Sequence, residues 1–496
     1  MLFSSMVFLW IFLPFVLVIN FLLSKIKYKN ENNKVKCKNY FLLCVSFIFY
    51  LWGGIYYFII MLATILINYL GGLFVGNDSL SYNMKKRNLI IVIALNLTIL
   101  FIFKYFNLAV IIAENIISNN MAFGERLGRM LCLQGTGELG FPSIVLPIGI
   151  SFFTFQSMSY VIDVYRGKVS VQKNFFSFAL YVSLFPQLIA GPIVKYIDIE
   201  QQINERNENI DLFLSGQKKF CYGLAKKVIL SNSFAELVDS VWKLDISEIG
   251  SPIAWMGIIA YTLQIYYDFS GYSDMAIGIG RMLGFRFKEN FNYPYISTSI
   301  KEFWRRWHIS LTDWFREYVY FPLGGNRKGV VRTYINIFLV FLLTGIWHGA
   351  NFTFIVWGLI YSVLQIIERG FLGKILDKNP IKIFNWIYTM MVVMIAWVFF
   401  RSDNVFQALE YIKQLFAGFS DQYYFLSYIS LKEIICFVVG ILFAGIVQNL
   451  LAKTYSVYKY KTPIIVIDYT VQYVLLGVSI MLIVSGTYNP FIYFQF

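Results

Sequence analysis

The sequence predicts an all-α, polytopic membrane protein, and three observations predict it. Only 14% of the 496 residues are charged, against roughly 25% in soluble globular chains. That is too little charge to wet a surface of this size, so lipid must be the solvent for much of it. Apolar runs near the ~20 residues that a bilayer-crossing helix needs recur along the chain. The cations behind the formal net charge of +14 sit in short segments between those runs, as in cytoplasmic loops. Such spacing does not make a nucleic-acid surface, and no nucleic-acid partner is expected.

The first run, 6–24, carries its basic cluster (Lys25, Lys27, Lys29) behind it and shows no small-residue cleavage site. It reads as a retained helix with an outside N-terminus rather than a signal peptide. Further spans are expected at 40–57, 58–76, 89–112, 141–162 and 174–194. The loops between them test this order. Lys25 to Lys38 is basic, as is Lys85-Lys86-Arg87 two spans later, and Arg166, Lys168 and Lys173 follow after two more. The loop 113–140 sets Glu114, Glu125 and Glu138 against Arg126 and Arg129, which suits the outside.

Residues 195–250 break the alternation. Five acids in 195–211 precede Lys218, Lys219, Lys226 and Lys227, and the amphipathic 219–240 segment is expected either to span or to lie flat. Spans are expected again at 252–280, 383–400, 433–450 and 464–486. The 281–332 segment, with ten Lys/Arg against Glu289, Glu302, Asp313 and Glu317, is expected to be a cytoplasmic loop, as is 368–382. Neither a repeat nor a soluble domain is apparent, so residues 1–496 read as one membrane domain. The five dispersed cysteines suit buried thiols better than a disulfide framework or a metal site.

Between those two basic segments runs Thr333 to Ile367, 35 residues in which His348 is the only Asp, Glu, Lys, Arg or His. With both flanks on one side, the stretch must enter and leave on that side. It is expected to form a hairpin of two short spans with His348 near the apex. Gly345 and Gly349 bracket the histidine, while Thr344, Trp347 and Asn351 offer hydrogen bonds to a cavity. An ionisable group at membrane depth is a functional candidate by default. A neutral histidine bonded to a neighbouring helix is the structural alternative.

Three other segments carry polar chemistry. Lys301 to Arg316, drawn as one helix, places Trp304, His308, Leu311 and Phe315 on one stripe. Trp304, Arg305, Arg306 and Trp307 are candidates for clamping a phosphate-bearing ligand or for anchoring at the membrane interface. Asp268 and Asp274 lie in an otherwise apolar run and need cationic partners, for which the arginines of 281–316 are the obvious candidates. Asp268 is alternatively placed to orient a histidine. The Pro/Gly interruption from Phe185 to Pro192, which contains Gln187, is expected to line a cavity or kink a helix.

Seven stretches, in this order, carry a resemblance: MLFSSMVFLWIFLP at the start, PIGISFFTFQSMSYVIDVYRG (147–167), FPQLIAGPI (185–193), GLAKKVILSN (223–232), YDFSGYSDMAIGIGRMLGFRFKENFNYPY (267–295), EFWRRWHISLTDWFREYVYFPLGGN (302–326) and TGIWHGANFTF (344–354). Together they resemble the membrane-bound O-acyltransferase family, and most closely its bacterial alginate O-acetylation branch. The best-matching core is about 141–367. The resemblance implies a ring of about eleven helices, some re-entrant, around a central tunnel. It implies that His348, in the WHG motif, is catalytic and that His308 is the second tunnel histidine. Trp304, Arg305, Arg306, Trp307, Asp268, Gln187 and Asn351 are then expected to serve donor or substrate binding.

The reaction so implied is O-acyl transfer from a cytoplasmic thioester, acetyl-CoA, with no cofactor. A neutral imidazole accepts the hydroxyl proton as the thioester is attacked. The expected partners are an extracytoplasmic transferase of SGNH-hydrolase-like type and a polysaccharide acceptor, and the expected location is the plasma membrane. Other readings are D-alanyl transfer toward teichoic acid, a transporter, which would call for inverted repeats, and a non-catalytic scaffold.

Overall fold

The computed structural model describes residues 1–117, 146–206, 208–451, 462–486 and 488–492. The expected outside loop 113–140 and the start of the 141–162 span lie largely outside them. Among the described residues the regular elements are all helices, and eight are long and apolar enough to cross a membrane. These are Phe8–Lys25, Ile55–Val75, Tyr82–Phe106, Val330–His348, Phe352–Lys378, Lys382–Arg401, Leu431–Leu451 and Pro463–Ser485. They stand at the periphery, where side chains such as Trp10, Ile11, Phe15, Phe21, Val466 and Met481 are exposed. Apolar surface of this extent needs a lipid solvent.

Four expected spans differ, each for a local reason. The 40–57 run ends at Leu51, where Gly54 takes a φ of 129° that turns the chain before the next helix. The 141–162 run becomes the 16-residue helix Ile150–Tyr165, of which every residue from Ile150 to Val164 is buried. The 174–194 run breaks at Leu184 into Phe175–Ser183, capped by the exposed Asn174, and the short, buried Phe185–Leu188. Ser46 accepts from the freed Phe185 N–H at 3.1 Å, which satisfies a backbone group that lipid would leave stranded. The 252–280 run becomes the 33-residue helix Gly250–Met282, long enough to cross but too rich in Gln, Ser and Asp to face lipid, and it is buried along most of its length.

This central helix packs against Ile210–Ala225, which takes up the start of the undecided 219–240 segment; the rest continues through Lys226–Ser231 into the helix Asn232–Trp242. Two glycine pairs set the approach. A Cβ on Gly216 would lie 2.5 Å from the Gly278 carbonyl, and one on Gly223 would lie 2.6 Å from the Gly271 carbonyl. Only glycines allow backbones this close. Asp268 and Asp274 find their cations on this neighbour and on the turn that continues it, not among the arginines of 281–316. Lys227 pairs with Asp268 at 2.7 Å, while Lys219 and Lys226 pair with Asp274 at 3.0 and 2.7 Å. Position in space, rather than proximity in sequence, decides these pairs.

Asp268 also accepts from the Ile492 N–H at 2.8 Å, and Lys227 donates to the Pro490 carbonyl. Asn489 Nδ2 donates to Ser4 Oγ at 2.8 Å. The segment 488–492 is thus drawn into the core beside the first residues of the chain, and Phe491 packs 4.8 Å from Tyr272.

Candidate active site

The 333–367 stretch folds as the expected hairpin. Val330–His348 and Phe352–Ile367 lie side by side, joined by residues 349–351. Their close approach is set by Gly345 and Gly358: a Cβ on the first would meet the Phe354 carbonyl at 2.4 Å, and one on the second the Phe341 carbonyl at 2.5 Å. Asn351 caps the second helix, accepting from Thr353 N–H at 3.0 Å, and donates to the Asp403 carbonyl at 2.7 Å. Its polar atoms therefore fix the apex. His348 is the last residue of the first helix and is buried. The rings of Trp357, Phe400 and Trp347 stand 4.9, 5.0 and 5.0 Å from its own.

His308 is placed quite differently from a stripe on one continuous helix. The chain breaks there: Ile300–Arg306 and Ile309–Phe315 are separate short helices, and His308 between them has φ 42° and ψ 55°. A non-glycine residue in this left-handed conformation carries strain of order 1 kcal/mol and persists only where its surroundings impose it. Histidine is among the residues that tolerate it best. Asn290 supplies the hold. Its side-chain oxygen lies 3.1 Å from His308 Nδ1 and accepts from Ser310 N–H and Oγ at 3.2 and 2.9 Å, while its carbonyl accepts from Ile309 N–H at 2.9 Å. The 281–332 segment is more than a surface loop: Tyr295, Phe303, Trp304, Trp307 and Trp314 are buried, while Phe321, Val330 and Val331 are exposed with most of its cations. Charge counting alone does not register the aromatic residues interleaved with those cations.

Two cavities lie close to these histidines. One, of about 1020 Å³, is lined by Trp304, Leu311, Thr312, Phe341 and Thr344 at its inner end. Lys301, Arg305, Arg316, Arg369, Lys374 and Lys382 line its wider part, against Glu302, Glu368 and Asp377. Two of those acids serve the fold. Glu368 accepts from the Ile300 and Lys301 N–H groups at 2.7 and 2.9 Å, capping Ile300–Arg306. Burial works to raise the Glu302 carboxyl, but the Thr298 N–H and Arg306 outweigh it and hold the group below its ordinary value. The other cavity, about 50 Å³, is lined by His348, Trp347, Phe152, Ser151, Ile189 and Lys104. It has room for only a small group. His308 is close to both: Leu311 and Thr312 on its following turn line the large cavity, and the rings of Trp347 and Phe152, 6.2 and 6.4 Å from its own, line the small one.

The structure distributes the remaining candidates unevenly. Trp304 and Arg305 line the large cavity. Arg306 is held by Glu302 at 2.9 Å and by the Asn292 carbonyl at 3.0 Å. Trp307 packs among Phe291 and Trp397, each 5.0 Å away. Asp268 is occupied by Lys227 and Ile492. Gln187 is fully buried in the Phe185–Leu188 turn and donates to the Tyr181 carbonyl at 2.5 Å.

Two residues at the site were not singled out from the sequence. Lys104 donates to the Trp347 carbonyl. It sits inside the expected 89–112 span, so the signal that singled out His348 was present there too. Asn290 carries no such signal, because its role depends on where the chain folds back.

The model of the MBOAT, membrane-bound O-acyltransferase family matches residues 166–406, which include both histidines. A probable alginate O-acetylase AlgI of Pseudomonas aeruginosa is 41% identical over 419 residues, 84% of this chain and 75% of that protein. A peptidoglycan O-acetyltransferase of Helicobacter pylori is 38% identical over 54% of this chain and 56% of its own length. A teichoic acid D-alanyltransferase of Bacillus subtilis is 31% identical over 45% of this chain and 59% of its own. The chain belongs to the membrane-bound O-acyltransferase family and is a multi-pass membrane O-acyltransferase.

Proposed function

We propose that the protein moves an acetyl group from a cytoplasmic thioester, acetyl-CoA, to a hydroxyl presented from outside the plasma membrane. The product is an O-acetylated exopolysaccharide or cell-wall polymer. The observation that carries this reading is a large basic cavity lined by Leu311 and Thr312, on the turn after His308, together with a small cavity lined by His348. The basic cavity suits a phosphate-bearing thioester, whose charge prevents it from crossing. The small one suits the hydroxyl end of an acceptor. His348 takes the hydroxyl proton as the oxygen attacks the thioester carbonyl; the C–S bond breaks, and the thiolate leaves with that proton. No cofactor enters this scheme. The acceptor reaches the site through an extracytoplasmic transferase of SGNH-hydrolase-like type, which hands the acetyl group to a polysaccharide.

Acetyl transfer is favoured over D-alanyl transfer because the relatives named for O-acetylation match at higher identity and over more of the chain. The test is hydrolysis or transfer of labelled acetyl-CoA by the purified protein in vesicles, compared with a D-alanyl thioester on a carrier protein. Turnover of acetyl-CoA at the expense of the D-alanyl donor is expected. Turnover of the D-alanyl donor alone would overturn the assignment.

A further inference from the structure

Asn290 meets His308 through an atom whose identity the surroundings fix. The Ser310 backbone N–H can only donate, and it points at the same Asn290 side-chain atom, 3.2 Å away, as His308 Nδ1 does at 3.1 Å. That atom is therefore the amide oxygen. The amide nitrogen faces the other way and donates to Ser273 Oγ at 3.1 Å, on the central helix. An amide oxygen can only accept, so the His308 nitrogen opposite it must carry the proton. The other ring nitrogen, Nε2, is then an unprotonated lone pair. It is buried and has no hydrogen-bond partner among the described residues.

We propose that Asn290 is the positioning residue that locks His308 as its Nδ1–H tautomer, leaving Nε2 as a buried proton acceptor close to both cavities. A neutral histidine in water prefers the opposite tautomer, so this state needs an imposed hydrogen bond. The same asparagine also holds the His308 backbone in its left-handed conformation through Ile309 and Ser310. Tautomer and ring direction are thus set by one side chain. The consequence for chemistry rests on the acyl-transfer reading above: His308 acts through Nε2, by accepting a proton or a hydrogen bond from the reacting groups, and never through Nδ1.

The chain has two histidines, so selective ¹⁵N-histidine labelling in lipid vesicles reports on these two rings alone, and a His348→Ala variant identifies the His308 signals. The expected spectrum has a protonated Nδ1 and an unprotonated Nε2 at His308. A protonated Nε2 in the wild type overturns the proposal.

Asn290→Asp retains the accepting oxygen and should keep the Nδ1–H tautomer and most of the acetyl turnover. Asn290→Leu should release the tautomer and lower kcat by roughly 10–100-fold while leaving the donor KM within about twofold. An unchanged His308 spectrum in Asn290→Leu also overturns it. Should the leucine variant fail to fold, the wild-type and Asn290→Asp spectra decide alone. If His308→Ala keeps full turnover, the acyl-transfer role of His308 falls while the tautomer assignment stands, so the two failures are distinguishable.

Discussion

Gly345 and Gly358 face one another across the hairpin so closely that a Cβ built on Gly358 would lie 3.3 Å from the Gly345 Cα. His348 lies three residues beyond Gly345 on the same helix, so the separation of the two helices fixes where the imidazole sits. Gly345→Ala would press a methyl group to 2.4 Å from the Phe354 carbonyl. A backbone oxygen cannot rotate away, and the helices must part. Overpacking of this kind costs about 1–3 kcal/mol. The variant is expected to insert but to lose most acyl transfer, measured as turnover per folded molecule alongside its melting temperature.

The Lys227–Asp268 pair is almost wholly buried. Lys227→Met alone should destabilise by about 3–5 kcal/mol, because it strands a carboxylate in the core. Asp268→Leu added to it should restore part of that loss. Thermal unfolding in detergent of the two single variants and the double one checks this. Equal and additive losses would show that the pair contributes nothing as a pair.

Arg305 and Arg306 are neighbours with different duties. Arg305→Ala should raise the KM for a phosphate-bearing thioester roughly fivefold, about 1 kcal/mol, with little change in kcat. Arg306→Ala should leave the KM unchanged and lower the melting temperature instead, since its guanidinium holds Glu302 and the Asn292 carbonyl. Steady-state kinetics on both variants separates the two.

Glu317 ties two parts of the chain together, accepting from Lys195 at 2.8 Å. Burial pushes its carboxyl up, but the Lys195 hydrogen bond and the charges of Lys195 and Lys168 outweigh this and hold it below the ordinary 4.5. A depressed carboxyl stabilises the fold above its unfolded value, and that contribution is lost as pH falls through the folded one. The melting-temperature gap between wild type and Glu317→Gln should therefore be constant above about pH 5.5 and shrink below about pH 4.5. A gap independent of pH down to about 3 would contradict it.

Much of the site was legible in the sequence, and the reasons are specific. The hairpin followed from His348 standing alone between two basic flanks, because lipid forces apolar length and charge placement into register. The central layer was not legible. Gly250–Met282 and Ile150–Tyr165 lie in runs apolar enough to be read as spans, but protein buries most of their length, and a hydrophobic run does not by itself distinguish lipid from a neighbouring helix. The break at His308 was also hidden, because Trp304, His308, Leu311 and Phe315 keep helical spacing across it. What breaks the helix is Asn290, a partner 18 residues away. The pairing of Asp268 with Lys227 and the docking of 488–492 were hidden for the same reason, being contacts that only the folded chain creates.

The most direct test replaces His348 itself. Wild type, His348→Ala and His348→Gln are reconstituted in vesicles with labelled acetyl-CoA inside and the hydroxyl acceptor outside, and label reaching the acceptor is counted. Both variants should fold, bind the donor with near wild-type affinity and transfer label at least 10²-fold more slowly, as expected on losing a general base. Undiminished transfer by either variant would contradict the placement of His348 at the centre of the reaction.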